Sequence, residues 1–268
     1  MQDRFLQGWN IAVSISDSPD LASLGLGERH LCDVMVEISR HLISAGATLV
    51  YGGDLRRHGY TELLFEVAAR YYAPSNGSPC FTNVLPWPVH IEIPPDELKK
   101  RAEELGEYAQ IVRFGPEGES IPLNAPIPVR RATNEEWAPA LTAMRRRVSE
   151  KTKATVVLGG AVEQYRGRMP GIAEETLLAL QAGKPTYLLG GFGGCAGDLC
   201  QEMVLTESKS SRLRRDWKMR DQFTGMRGEA LRNGLTPEDN RRLACSVHTD
   251  ELVVLILRGL RRVAARQS

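Results

Sequence analysis

Apolar positions along the chain fall into short continuous runs that alternate with segments of helical period. Asn10–Ser16, NIAVSIS, is an apolar run closing on small polar residues and reads as a first strand. After a Pro- and Gly-punctuated loop, Leu31, Val34, Ile38 and Leu42 recur at helical spacing up to Gly46. Ala47–Asp54 is a second strand, broken at Gly52-Gly53. Tyr60–Tyr72 reads as a helix, with Thr61 near its start and Leu64, Val67 and Tyr71 on one face. Cys80–Pro88 is a third strand stopped by prolines, and PPDELKKRAEEL a short charged helix opened by Pro95 and Asp96. Tyr108–Phe114 is a fourth strand. Residues 115–134 are irregular and rich in Gly and Pro, but the alternation resumes after them, so they read as an insertion and not a domain boundary. The helix EEWAPALTAMRRRVSEKT, a fifth strand Ala154–Gly160, the helix IAEETLLALQAGK ending near Gly183, a sixth strand Pro185–Gly194 and the helix CAGDLCQEMVL follow. A basic, helical part is expected over 206–268, closing with a helix from about Thr249 to Arg262 whose first turn holds Asp250 and Glu251.

Strand–helix alternation of this kind predicts an α/β, Rossmann-like, doubly wound sheet, mainly parallel, with helices on both faces. Runs such as TVVLGG agree, because parallel strands are buried on both sides. The expectation is one such domain over residues 1–268.

Composition narrows the function classes. With 42% hydrophobic and 25% charged residues the chain has the material for a core. Its 34 basic and 33 acidic residues leave a net charge of +1, which gives no global electrostatic reason to bind nucleic acid or a membrane surface. Five cysteines without a CxxC pair, and histidines at no metal-site spacing, imply no metal. No apolar run approaches the ~18 residues of a membrane span, and the start MQDRFLQGWN lacks a signal-peptide pattern, so a cytoplasmic location is expected.

In doubly wound folds ligands lie at the carboxyl ends of the strands. Four such ends are small or glycine-rich here: Ser14-Ile15-Ser16-Asp17, Gly52-Gly53-Asp54, Gly159-Gly160 and the run Gly190-Gly191-Phe192-Gly193-Gly194. Glycine admits close approach of a bulky ligand, and the amides of a following helix form an anion site. Ligand contacts are therefore expected from Ser16 and Asp17, from Gly52, Gly53 and Asp54 with Thr61 and Glu62 beyond them, from Gly159 and Gly160, and from Gly191 and Gly193. A second corner, Pro170-Gly171, opens the next helix. Arg168, Met169, Pro170, Gly171, Ile172, Glu174 and Glu175 are expected to border the same pocket, and Gly160→Val or Glu175→Ala to remove binding without unfolding. Arg166 and Arg168 are either solvated loop charges or phosphate partners. Tyr51 and Tyr60 flank the second corner, where one of them can stack on a base. No GxGxxG joins the first strand to its helix, which disfavours an ordinary NAD site, and no cofactor is expected. The basic residues Lys209, Arg212, Arg214, Arg215, Lys218, Arg220, Arg227 and Arg232, interleaved with Trp217 and Phe223, form a solvated helix face, an oligomer surface or a polyphosphate contact.

The stretches YGGDLRRHGYTE and VVLGG…MPGIAEE resemble the SLOG superfamily, which includes the LOG phosphoribohydrolases, the DprA/Smf proteins and the amino-terminal region of TRPM channels. The resemblance covers roughly residues 10–72 and 140–205. LOG enzymes carry PGGxGTxxE. Here the motif is split: Leu158 stands where those enzymes have proline, Gly159-Gly160 match the first glycines, and Gly171-Ile172-Ala173-Glu174-Glu175 match GTxxE beyond the insertion AVEQYRGRM and Pro170. Ile172 removes a hydroxyl. The resemblance implies Glu175 as catalytic glutamate if the chain is a hydrolase, with an arginine of the preceding helix as its partner. MRRRV offers Arg145, Arg146 and Arg147 without deciding among them, and Arg147 is taken here.

Prokaryotic SLOG members also accompany TIR domains in antiphage defence. The resemblance thus implies a sensor of a nucleotide-derived molecule, such as ADP-ribose or cyclic ADP-ribose, acting through homo-oligomerisation or an effector such as a TIR-domain protein. The alternative is a hydrolase of the N-glycosidic bond of a nucleoside monophosphate. DNA binding in the manner of DprA is disfavoured by the balanced charge.

Overall fold

A computed structural model describes residues 4–56, 58–72, 78–206 and 215–266. Its centre is a seven-stranded sheet of order β5-β4-β3-β2-β1-β6-β7. The strands are β1 Asn10–Ser16, β2 Thr48–Gly52, β3 Phe81–Leu85, β4 Ala109–Phe114, β5 Ser120–Ile121, β6 Ala154–Gly159 and β7 Thr186–Leu189. All neighbours run parallel except the short β5, which pairs antiparallel with β4 at the edge. The sheet is therefore the Rossmann-like, doubly wound one expected, with the fifth and sixth expected strands appearing as β6 and β7.

The helices are α1 Glu28–Ser44, α2 Tyr60–Tyr71, α3 Trp87–His90, α4 Pro95–Glu104, α5 Asn134–Lys151, α6 Gly171–Gln181, α7 Gly194–Glu202, α8 Pro237–Cys245 and α9 Thr249–Ala264. Period-two alternation along the strands sorts the core into two faces. Ile11, Val13, Ile15, Leu49 and Val156 meet α1, α2 and α9. On the other face Val50 and Val84 meet Met144 of α5, while Val157 and Leu188 meet Ile172 and Leu177 of α6 and Leu199 of α7. With both faces covered, the strands can be apolar throughout.

Several boundaries differ from the sequence expectation. The third strand stops at Leu85, because Pro86 caps and Pro88 enters the one-turn helix α3, where a missing amide costs nothing. The sixth strand ends at Leu189, and Gly190–Phe192 is a 3-10 turn. α8 is opened by Thr236, whose hydroxyl accepts from the Asp239 amide. The 115–134 segment is tied down from beneath: the buried Arg113 guanidinium donates to the carbonyls of Pro122 and Ala125.

Strand order reverses at β1. The chain leaves β1 through α1 to β2 on one side, and β6 lies on the other, in register with Ser16 opposite Gly159. This is the topological switch point, where the loops after β1 and β6 part and open a crevice.

Candidate functional site

The switch point gathers a cluster of charge that no single motif announced. Ser14 and Ser16 share one face of β1 by strand alternation. The Ser14 hydroxyl donates to Glu175 Oε2. Thr142 and Arg145, three apart on α5, lie on one helix face and reach the same place. Arg145 Nε donates to Glu175 Oε1 at 3.3 Å and its Nη1 to Glu174 Oε2 at 2.5 Å. Thr142 Oγ1 and Arg168 Nε each donate to Glu174 Oε1 at 2.6 Å.

The two glutamates have different fates. Glu174 is fully buried and saturated by its three donors. Glu175 keeps 24% of its side-chain surface exposed, so it is the carboxylate that faces the crevice. Its pKa is raised above the ordinary carboxylate value, because surrounding protein withdraws it from water. The Arg145 charge and the bonds from Ser14 and Arg145 oppose that rise, and Glu174 adds to it.

The arginine that meets Glu175 is Arg145, not Arg147. Arg147 sits two positions on, turned out of this face, and donates to Gly118 O at 3.0 Å and to Glu150 at 2.9 Å. Two glycines make room for the Arg145 guanidinium. A Cβ on Gly171 would lie 2.7 Å from Arg145 Nη2, and one on Gly167 would lie 3.0 Å from Nη1. The guanidinium therefore rests against the amino end of α6, whose first-turn amides no residue of the helix can satisfy.

The Gly159-Gly160 corner is built for contact within the protein. Both residues have positive φ, 66° and 105°. Gly160 N donates to Ser16 O and Cys195 N to Gly160 O, each at 2.9 Å. A Cβ on Gly159 would collide with Ser16 O, and one on Gly160 would lie 2.7 Å from Ile172 Cγ1 and 2.9 Å from Cys195 Cβ. The ends of β1 and β6 and the starts of α6 and α7 thus converge on these two residues.

A family model described as SLOG cluster2 matches residues 5–243. The chain belongs to the SLOG family. That family suggests nucleotide-related ligand binding or glycosidic-bond chemistry. No curated protein matches the chain.

In this SLOG chain the two halves of the split motif meet in space, since Gly160 packs on Ile172. Ile172 is itself buried, so the position of the absent hydroxyl belongs to the core. The intervening loop is held down on its α6 side: Met169 is buried, Arg168 pairs with Glu174, and the Arg166 guanidinium lies 4.0 Å above the Trp137 ring. The Ser16 hydroxyl accepts from the Ala161 amide at 3.3 Å, tying β1 to the loop's start.

The second corner is tied by polar side chains. Thr61 Oγ1 donates to Asp54 O at 2.5 Å, and Asn83 Nδ2 to Gly53 O at 3.4 Å. Gly52 packs on Met144, and Asp54 pairs with Arg56 at 2.6 Å. Tyr51 is buried, with its hydroxyl donating to Ile15 O at 3.3 Å, so it serves the core. Tyr60 instead donates to Asp17 Oδ1 at 2.8 Å at the surface, near the Glu62 carboxylate that caps the His58 amide.

The third corner, holding Gly191 and Gly193, is closed by the protein itself. A Cβ on Gly191 would strike Ser246 O. At the amino end of α7 the Asp20 carboxylate accepts from the Gly194 amide at 2.7 Å and from the Arg215 fork at 3.0 and 2.9 Å. Arg215 also grips Asp198, which accepts from Trp217 Nε1 at 3.1 Å, and Arg220 pairs with Glu202 at 2.8 Å. Arg215, Arg220, Trp217 and Phe223 are thus parts of a packed ion cluster and core, not a helical surface face. Lys209, Arg212 and Arg214 lie outside the described residues. Among the described residues no His, Cys, Asp or Glu group converges as a metal site, and no helix is long and apolar enough to cross a membrane.

The raised pKa of Glu175 has a stability consequence. A carboxyl whose folded pKa lies above its unfolded one favours folding below the unfolded pKa, and that contribution is lost as pH rises through the folded pKa. Glu175→Gln should therefore raise the melting temperature at pH 7, with the gain shrinking as the pH is lowered below the ordinary carboxylate range. Thermal melts of both proteins across pH 4 to 8 check this, and a gain that grows on acidification contradicts it.

Proposed function

We propose that the switch point binds a nucleotide-derived small molecule of the ADP-ribose or cyclic ADP-ribose kind. The bound state is passed on in the cytoplasm by self-association or through an effector such as a TIR-domain protein, in a defence role. One observation carries the ligand class. The Arg145 guanidinium rests at the amino end of α6, so a cationic side chain and the positive end of a helix dipole lie together beside Glu175 at the crevice. That corner suits a phosphate. Burial of Ile172 where a hydroxyl would serve turnover, and the loop pinned by Arg168, favour binding over catalysis.

The second reading is hydrolysis of the N-glycosidic bond of a nucleoside monophosphate. It is favoured by the intact Ser14–Glu175–Arg145 contact and by the upward direction of the Glu175 pKa, the direction a carboxyl needs in order to act as a proton donor. Glu175 would stabilise an oxocarbenium-like ribose or activate water.

Calorimetric titration with ADP-ribose, cyclic ADP-ribose, NAD and AMP, followed by chromatography of each mixture, separates the two. Binding without products is the expected result, with Glu175→Ala weakening it at least about tenfold, the loss of one charge-assisted hydrogen bond. Release of free base from AMP, abolished in Glu175→Ala while binding persists, makes the protein a hydrolase. No binding to any of the four overturns both.

A further inference from the structure

The outer edge of the sheet is open along most of β4. Only Arg113 and Phe114 pair with β5, opposite Ile121 and Ser120. Pro122 follows at once and has no amide to donate, so the ladder stops there. Ala109, Gln110, Ile111 and Val112 pair on one side with Phe81 to Val84 of β3, and on the other with no described strand. Such an edge is a template for another strand, and proteins that keep one unpaired place lysine, proline or a bulge along it. The four residues AQIV contain neither lysine nor proline.

The sheet face beside this edge is also incompletely covered. Ala109 and Ile111 are buried, while exposed Gln110 and half-buried Val112 share the opposite face. There a cavity of about 380 Å3 separates the strands from the end of α5, between Thr82, Gln110 and Val112 on the sheet and Val148 and Lys151 on the helix.

The helix next to the edge carries charges that suit one partner. Leu98 and Leu105, at the two ends of α4, share a core cluster with Ala109 and Ile111, and Arg101 on the same side donates to Leu55 O at 3.2 Å. Helical phase then turns Lys99, Lys100, Glu103 and Glu104 outward. Within one copy each lysine comes only to 3.9 Å from the glutamate one turn on, with all four side chains exposed. A two-fold axis perpendicular to the sheet sets β4 antiparallel to its copy and α4 antiparallel to its copy. Rises of about 1.5 Å per helical residue and about 3.3 Å per strand residue, counted back from the short connection between them, put the middle of α4 level with Ile111. The lysines of one copy then face the glutamates of the other. A second copy thus brings both a matching strand and matching charge.

We infer that the open edge of β4 is a homodimer interface, in which residues 109–112 of two copies pair antiparallel and continue one sheet through both chains, with α4 against α4. The inference rests on the self-association route of the proposed function and assigns it a surface.

Sedimentation velocity of the full chain should show a dimer that forms with rising concentration and weakens with added salt. Gln110→Lys/Val112→Lys sets like charges opposite one another across the axis and should raise the dimer Kd at least about tenfold. The α4 positions are exposed, so charge reversals there keep the fold. Lys99→Glu/Lys100→Glu makes the contact acidic throughout, and Glu103→Lys/Glu104→Lys makes it basic. Each alone should weaken the dimer at least about tenfold, and mixing the two should restore it as a one-to-one heterodimer. A mixture no tighter than either variant alone, or a dimer that Gln110→Lys/Val112→Lys leaves intact, overturns this interface and leaves self-association to another surface. A wild-type chain that stays monomeric at every concentration overturns the interface and constitutive self-association together, while ligand binding is decided by its own titration.

Discussion

Gly160→Val is expected to destabilise the protein by about 3 kcal/mol or more, against the simpler expectation that it only blocks a ligand. Two independent costs add. The residue sits at φ 105°, where a β-branched side chain is strained by about 1–3 kcal/mol. Its Cβ alone would fall 2.7 Å from Ile172 Cγ1 and 2.9 Å from Cys195 Cβ, and valine adds two methyls beyond it. Those neighbours are buried at the starts of α6 and α7 and cannot swing aside, so overpacking costs about 1–3 kcal/mol more. For a chain of 268 residues a loss of about 3 kcal/mol lowers the melting temperature by roughly 6–12 °C. Gly52→Ala is a useful contrast: its Cβ would meet only the flexible end of Met144 at 3.2 Å, so the cost should be small. Scanning calorimetry of the two variants decides, and a Gly160→Val melt matching the wild type would remove the packing role given to this corner.

The same corner shows what the sequence could and could not reveal. Strand positions were legible because parallel strands buried on both faces leave uninterrupted apolar runs, as in β1 and β6. The meeting of Glu175 with an arginine of the preceding helix was legible through the motif it shares with a known family. The purpose of the glycines was not. A glycine pair at a strand end looks alike whether it faces a ligand or a neighbouring backbone, and at Gly159, Gly160, Gly191 and Gly194 the neighbour is the protein. Long-range partners were also hidden. Arg145, Arg146 and Arg147 are equivalent in a string of letters, and only the helix phase that α5 adopts against β1 and α6 selects Arg145. Asp20 and Arg215 are far apart in sequence, yet together they close the α7 corner. The choice between Tyr51 and Tyr60 follows from strand alternation and helix start: one points into the core, the other lies at the surface against Asp17.

Glu174→Ala is the substitution expected to damage the site most deeply, although Glu175 is the residue that faces the crevice. Glu174 has no exposed surface and binds three donors from two parts of the chain: Thr142 and Arg145 on α5, and Arg168 in the loop before α6. Removing one member of a buried ion pair leaves the other charge in place without its neutralising partner, which costs about 3–5 kcal/mol. Arg145, with a side chain only 10% exposed, has Glu175 as its remaining carboxylate, and Arg168 has lost the contact that pins its loop. The variant should therefore unfold at lower urea, be cut sooner by protease within residues 161–169, and bind ligand more weakly. Glu174→Gln separates the causes. It preserves the volume and an acceptor for Thr142 but not the charge, so it should recover part of the stability and little of the arginine positioning. If Glu174→Gln restored ligand affinity to the wild-type level, the charge would be dispensable, and Glu174 would be a filler of space instead of the counter-ion that aims Arg145 at Glu175.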